Sequence, residues 1–253
     1  LLNMVMSKDK SVSGFLEKLG KLNDEKIKVF LPSLKKSIEV SPLTLKQQKD
    51  LISSSLDGVK GAFFFSRTLN DIIINNTGNY ELKTYDRFPI IAHLRKHSLG
   101  SKIRVDEKVV NMDTAIKNFK TVPHNIKDEH IVSLKTLKVH LRIPTLSEEN
   151  TLLKKGERDA EVTMESSRES VALMYVLELL KYVDKIVVEG EEIDFDNIKI
   201  NDRIKLIEEL PLTMYKDISK YIEQVNAYTN EIMTVDETVI PVDVRFFDTS
   251  GID

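Results

Sequence analysis

Two stretches of the chain, SPLTLKQQKDLI at residues 41–52 and RIPTLSEENTLL at residues 142–153, follow one plan. Each leaves an alternating run, passes a proline, and sets a threonine three residues ahead of Gln or Glu. Thr44-x-x-Gln47 and Thr145-x-x-Glu148 thus have the form of a capping box. In that motif the threonine hydroxyl accepts from the third residue's N–H, and the Gln or Glu side chain accepts from the threonine's N–H. Both boxes predict a helix beginning at the next residue, and the first should end near Asp57-Gly58. Ahead of the first box, IKVFL (27–31) and SIEVS (37–41) predict a hairpin. Ahead of the second, Leu137, Val139, Leu141 and Ile143 alternate as a half-buried strand does.

Working outward, the repetition continues. AFFFSRTLNDIIINN (62–76) is apolar nearly all round and predicts a buried helix stopped by Asn76-Thr77-Gly78-Asn79. VALMYVLELLKYV (171–183) is its counterpart, after a polar stretch at 154–170 that should loosen the chain. Asp86-Arg87 opens a helix that tolerates Pro89 in its first turn and ends at Gly100; Asp202-Arg203 opens another with its apolar residues in the same register. Between these lie a strand at 102–111, a short helix at 113–120, and a hairpin in KIVVEGEEIDF turning at Glu189-Gly190. The expectation is an α+β fold of two related units, 25–125 and 126–234, flanked by an N-terminal tail (1–24, in which 7–24 is tail or short helix) and a C-terminal strand or arm (235–253). The alternative is coincidence between common capping motifs.

The second unit ends in the clearest amphipathic helix of the chain, with Met214, Ile218, Tyr221, Ile222, Val225, Tyr228 and Ile232 on one face. Beyond it, TVIPVDVRFFD alternates, and Pro241 restricts it to a sheet edge or an extended arm. An arm tipped with Phe246-Phe247 could add a strand to a neighbour; a terminal strand of the chain's own sheet is the other reading.

The 253 residues suffice for a sizeable core without staples, and the absence of cysteine excludes disulfides, thiolate metal sites and a cysteine nucleophile. The apolar opening LLNMVM is too short for a signal segment, no run is long enough to span a membrane, and a soluble protein is expected. His93 and His97 have a metal-compatible spacing, but Arg95 and Lys96 between them would repel a cation. Five carboxylates gather in EGEEIDFDN (189–197) without the order of a calcium loop, so a charged hairpin face is the plainer reading. Gly-rich phosphate loops and nucleophile elbows do not occur in the sequence. No catalytic residue, metal ligand or cofactor is therefore assigned. The residues singled out are structural or interaction candidates: the two boxes, Asp86, Arg87, Asp202, Arg203, Phe246 and Phe247, together with the basic run from Arg87 through Arg95, Lys96 and Lys102 to Arg104. That run is the basis of an alternative reading as a nucleic-acid-binding or regulatory protein, although the net charge of −3 does not favour it.

KVFLPSLKKSIEVSPLTLKQQKDLI, YDRFPIIAHLRKHSLG, VHLRIPTLSEEN and LPLTMYKDISKYIEQVNAY…IPVDVRFFD together give the chain, over about residues 26–248, a resemblance to the baseplate hub subunit and hub-assembly chaperone family of T-even-like contractile-tailed bacteriophages. The resemblance implies a non-enzymatic viral protein of tail morphogenesis. Its partners would be other baseplate hub and tail proteins. The residues themselves add the option of self-association or strand addition through the C-terminal arm, and they disfavour a membrane or nucleic-acid partner. Its location would be the virion tail, the host cytoplasm during assembly, or both.

Overall fold

A computed structural model describes residues 12–19, 25–55, 58–78, 81–162 and 175–248. The fold is α+β, mixing helices with small antiparallel sheets. Strands β1 (Ile27–Leu31) and β2 (Lys36–Val40) form the expected hairpin. Their alternation puts Val29, Leu31, Ile38 and Val40 on one buried face. Helix α1 (Leu45–Ser54) begins at the Thr44 box, with Gln47 N–H donating to the Thr44 hydroxyl and Thr44 N–H to Gln47 Oε1. Helix α2 (Gly58–Thr77) follows, ending where Gly78 takes a positive φ that a side chain would disfavour.

Helix α3 (Arg87–Leu99) is the most enclosed element: Phe88, Ile90, Ile91, Ala92 and Leu94 are all buried. It packs against β1, α2 and the short helix α4 (Met112–Phe119). The single strand expected at 102–111 is instead a hairpin, β3 (Lys102–Val105) and β4 (Lys108–Asn111). Asp106 adopts φ +53 at the turn, a conformation Asp tolerates better than most residues, so the reversal needs no glycine to mark it.

The main sheet is a four-stranded antiparallel meander, β5 (Glu129–Leu134), β6 (Leu137–Arg142), β7 (Val183–Val188) and β8 (Glu191–Asp194), with β5 and β8 at its edges. Strand β5 was not visible in the sequence; its buried face is thin, centred on Val132. Helix α5 (Leu146–Val162) starts at the Thr145 box and takes in the first part, 154–162, of the polar stretch expected to be loose. What holds it helical is α2 alongside. Arg67 pairs with Glu157 at 2.6 Å and Asn150 donates to Asp71 at 2.7 Å, a spacing that sets the two helices antiparallel. Gly156 lets Phe63 lie directly on α5. Residues 163–170 fall outside the described set.

The helix expected at 171–183 is described over 175–180, with Leu177 and Leu180 buried, and Val183 already belongs to β7; residues 171–174 lie outside the description. The β7–β8 hairpin turns at Glu189-Gly190 as expected, both at positive φ. Helices α6 (Ile200–Glu208) and α7 (Leu212–Ile232) follow. The buried residues of α7 are the seven predicted from its periodicity.

The C-terminal segment departs from expectation. After two-residue strands β9 (Thr234–Val235) and β10 (Thr238–Val239), the chain folds back into a 3-10 turn, Val244–Phe247. Phe246 and Phe247 are fully buried against α1 and α3. Burying two rings in the chain's own core is worth more than leaving them in water for a partner, at about 25 cal/mol per Å² of apolar surface. An arm free to add a strand is therefore not what these residues form.

Candidate interaction surface

Two of the sequence's marked features converge at one junction. Residues 82–84 and 144–146 pair antiparallel: Thr84 N–H donates to Pro144 O at 3.0 Å and Leu146 N–H to Leu82 O at 2.9 Å. This sets Asp86-Arg87 beside Thr145-Glu148. The Thr145 box is complete, with Glu148 N–H donating to the hydroxyl at 3.2 Å and Thr145 N–H to Glu148 Oε2 at 2.7 Å. Asp86 stands at the N-cap of α3, as expected, but its side chain makes no cap hydrogen bond to that helix. Its carboxylate accepts from Ser33 N–H at 3.2 Å, Ser33 Oγ at 2.5 Å and Lys83 N–H at 3.0 Å, tying α3 to the β1–β2 turn. Burial pushes this carboxyl up, and those three donors pull it back.

Arg87 bonds Glu149 and donates to Asn70 Oδ1 at 3.0 Å. Asn70 in turn donates to Glu149 at 2.8 Å, and Lys181 stands 3.5 Å from the other carboxylate oxygen. Burial would raise the Glu149 carboxyl, but Arg87 and Lys181 outweigh it and hold it below its ordinary value. The network locks α2, α3, α5 and residues 175–181 together. Asp202 and Arg203 have different surroundings: Asp202 is exposed and Arg203 donates to Ile198 O at 3.1 Å.

The basic run does not assemble into one face. Arg95 is fully buried, donating to Phe246 O at 2.8 Å and Lys102 O at 2.6 Å, and burial presses its guanidinium below its usual value. Lys96 pairs with Asp113 at 2.5 Å, and Arg87 is engaged as above. Lys102 and Arg104 remain exposed on β3. A phosphate-contacting surface needs several cations side by side, and here Arg95 points inward while Arg87 and Lys96 are held in ion pairs.

Three of the acidic hairpin's five carboxylates, Glu192, Asp194 and Asp196, are likewise engaged within the fold. Asp194 caps the 3-10 turn Phe195–Asn197, accepting from Asp196 N–H at 2.8 Å. Asp196 is paired with Arg142, which also holds Asp184 and Glu148 at 2.8 Å each. His93 Nδ1 lies 2.8 Å from Pro89 O, the intrahelical carbonyl four residues back. Among the described residues no group of three or more His, Cys, Asp or Glu is arranged to hold a metal ion. None of their helices is long and apolar enough to cross a membrane.

Two of the surfaces left open are apolar. A groove of about 360 Å³ lies between residues 175–180, α6 and the start of α7, lined by Tyr175, Leu179, Ile207, Leu210, Leu212 and Tyr215. Separately, residues 12–19 form a helix whose apolar side chains are exposed. The second feature was legible in sequence: the stripe of Phe15, Leu16, Leu19 and Leu22 reads as a tail or short helix over 7–24, and the helix is present at 12–19. The groove joins residues 175–183 to residues 207–218, and no local pattern encodes that pairing.

A family model described as T4 bacteriophage base plate protein matches residues 24–238. No curated protein and no solved structure matches the chain.

Proposed function

Because the chain belongs to the family of T4 bacteriophage base plate proteins, we propose that it is a non-enzymatic structural or assembly protein of the central hub of the tail base plate. It works by presenting surfaces to other hub and tail proteins. The family match over residues 24–238 carries this reading. The site geometry supports it, since the charged clusters at Glu149, Asp86 and Arg142 are spent in joining elements of the fold. On the same reading the two hairpin-plus-capped-helix units, 25–125 and 126–234, form the rigid body, and the protein resides in the virion tail or in the host cytoplasm during assembly.

Mass spectrometry of purified particles, beside a pull-down of the tagged chain from infected cells, tests the proposal. Recovery of hub proteins with the chain is expected in the lysate. Presence in the particle assigns a structural role, and absence there an assembly role. A chain that recovers no tail protein from infected cells has neither.

A further inference from the structure

The helix at residues 12–19 carries Val12, Phe15, Leu16 and Leu19 at the i, i+3, i+4, i+7 spacing of a single face. Phe15 is 62% exposed and Leu16 60%. A two-turn helix has little stability of its own, and one with an apolar stripe gains it by laying that stripe in a groove. The same chain offers such a groove. Leu212, on its rim, is 75% exposed, and Tyr175 is 49% exposed. The folded chain thus leaves both halves of an apolar contact in water at once. One charge pair also matches: Glu208 is the charged residue lining the groove and Lys18 flanks the stripe, while Glu17 falls on the opposite side of the helix.

We propose that the 12–19 helix of one copy docks in the 175–215 groove of a second copy. The inference is independent of the hub assignment. Because the helix and the groove are different surfaces, the contact is head-to-tail, and repeated it builds a ring or a filament rather than a closed twofold dimer. A two-turn helix buries less than the roughly 1,000 Å² of a stable interface, so the contact belongs to the weak, transient class. It should form at high local concentration and be sparse in dilute solution.

The chain has no cysteine, so introduced cysteines report one pair at a time. Full-length Leu19→Cys and Leu212→Cys chains, mixed and gently oxidised, should give a disulfide dimer at least tenfold above a mixture of Leu19→Cys with Val109→Cys, an exposed position on β4. Adding Phe15→Asp to the Leu19→Cys chain should return the yield to the control; Phe15 is exposed, so the melting temperature should not move. Equal yields in the two mixtures, or a yield indifferent to Phe15→Asp, would overturn the proposal. So would a Leu19→Cys/Leu212→Cys double variant that closes within one chain at monomer mass while the mixture gives no dimer, since the helix would then occupy its own groove.

Discussion

Arg95 and Phe246 lie 151 residues apart in sequence, and the guanidinium of the first donates to the backbone carbonyl of the second at 2.8 Å. The same guanidinium sits 5.7 Å from the centre of the Phe246 ring, and Gln48 donates to Phe247 O at 2.9 Å. A buried cation thus serves as a clasp for the C-terminal turn.

Replacing that clasp should loosen the turn before it unfolds the protein. Arg95→Met keeps the volume but strands the carbonyls of Phe246 and Lys102. Losing two hydrogen bonds from a charged donor, at about 1.5–3 kcal/mol each, should lower the urea midpoint markedly. Limited proteolysis should then cut first between residues 240 and 248. Phe246→Ala, which empties a fully buried ring site, should cost about 3–5 kcal/mol. If Arg95→Met cuts no faster than wild type in this segment, the clasp is not what holds it.

The two capping boxes are alike in sequence and differ in cost. Removing a threonine cap costs about 0.5–2 kcal/mol. Thr44 is exposed, so water can take over the Gln47 N–H, and Thr44→Ala should fall at the lower end. Thr145 is 5% exposed and sits in the paired junction with Lys83. Thr145→Ala should fall toward the upper end, because the Glu148 N–H is left unpaired in a part-buried junction where water replaces the hydroxyl poorly. Equal losses in chemical denaturation would contradict this.

These boxes also show where sequence reading succeeds. Capping and helical period are local, so both Thr boxes and all seven buried positions of α7 were legible. Arg95 was not: it stood among Arg87, Lys96, Lys102 and Arg104 as a surface cation, and its burial depends on a segment 151 residues away. The α+β class was likewise readable from alternating and helical periods, whereas residues 154–162 of α5 were misjudged because Glu157 there is met by Arg67 of α2 across the interface. The Phe246-Phe247 arm failed for the same reason, since alternation marks a half-buried segment without saying which body buries it.

Gly156 should resist substitution despite lying within a helix. Alanine there would ordinarily gain about 1 kcal/mol of helix propensity. Its Cβ, however, would stand 2.5 Å from Cε1 of Phe63, and overpacking of this kind costs about 1–3 kcal/mol. A net loss is expected for Gly156→Ala alone. In Phe63→Leu, which vacates the ring position, the same change should become neutral or favourable. Identical effects in the two backgrounds would show that the ring does not set the helix separation.

Glu149 should give the protein a distinct acid response. Burial opposes its charge, yet Arg87 and Lys181 prevail, so its folded pKa lies below the value near 4.3 of an unfolded glutamate. A carboxyl with a depressed folded pKa contributes stability above its unfolded pKa, and that contribution is lost as pH falls through the folded value. Asp86 works in the opposite sense. Its raised carboxyl contributes most below the unfolded value and loses that contribution as pH rises toward the folded one. Glu149→Gln removes the first response and leaves the second. At pH 7 it should cost about 3–5 kcal/mol, since Arg87 loses the carboxylate it bonds in a largely buried site. From pH 5 to pH 3 the urea midpoint of the variant should fall less steeply than that of the wild type, and the two curves should converge. Replacing Arg87 and Glu149 together with Leu should recover much of the loss, because no unpaired charge then remains inside. Curves that stay parallel down to pH 3 would mean that Glu149 is as readily protonated in the fold as outside it, and that the Asn70–Arg87–Glu149–Lys181 network is not what joins α2, α3 and α5.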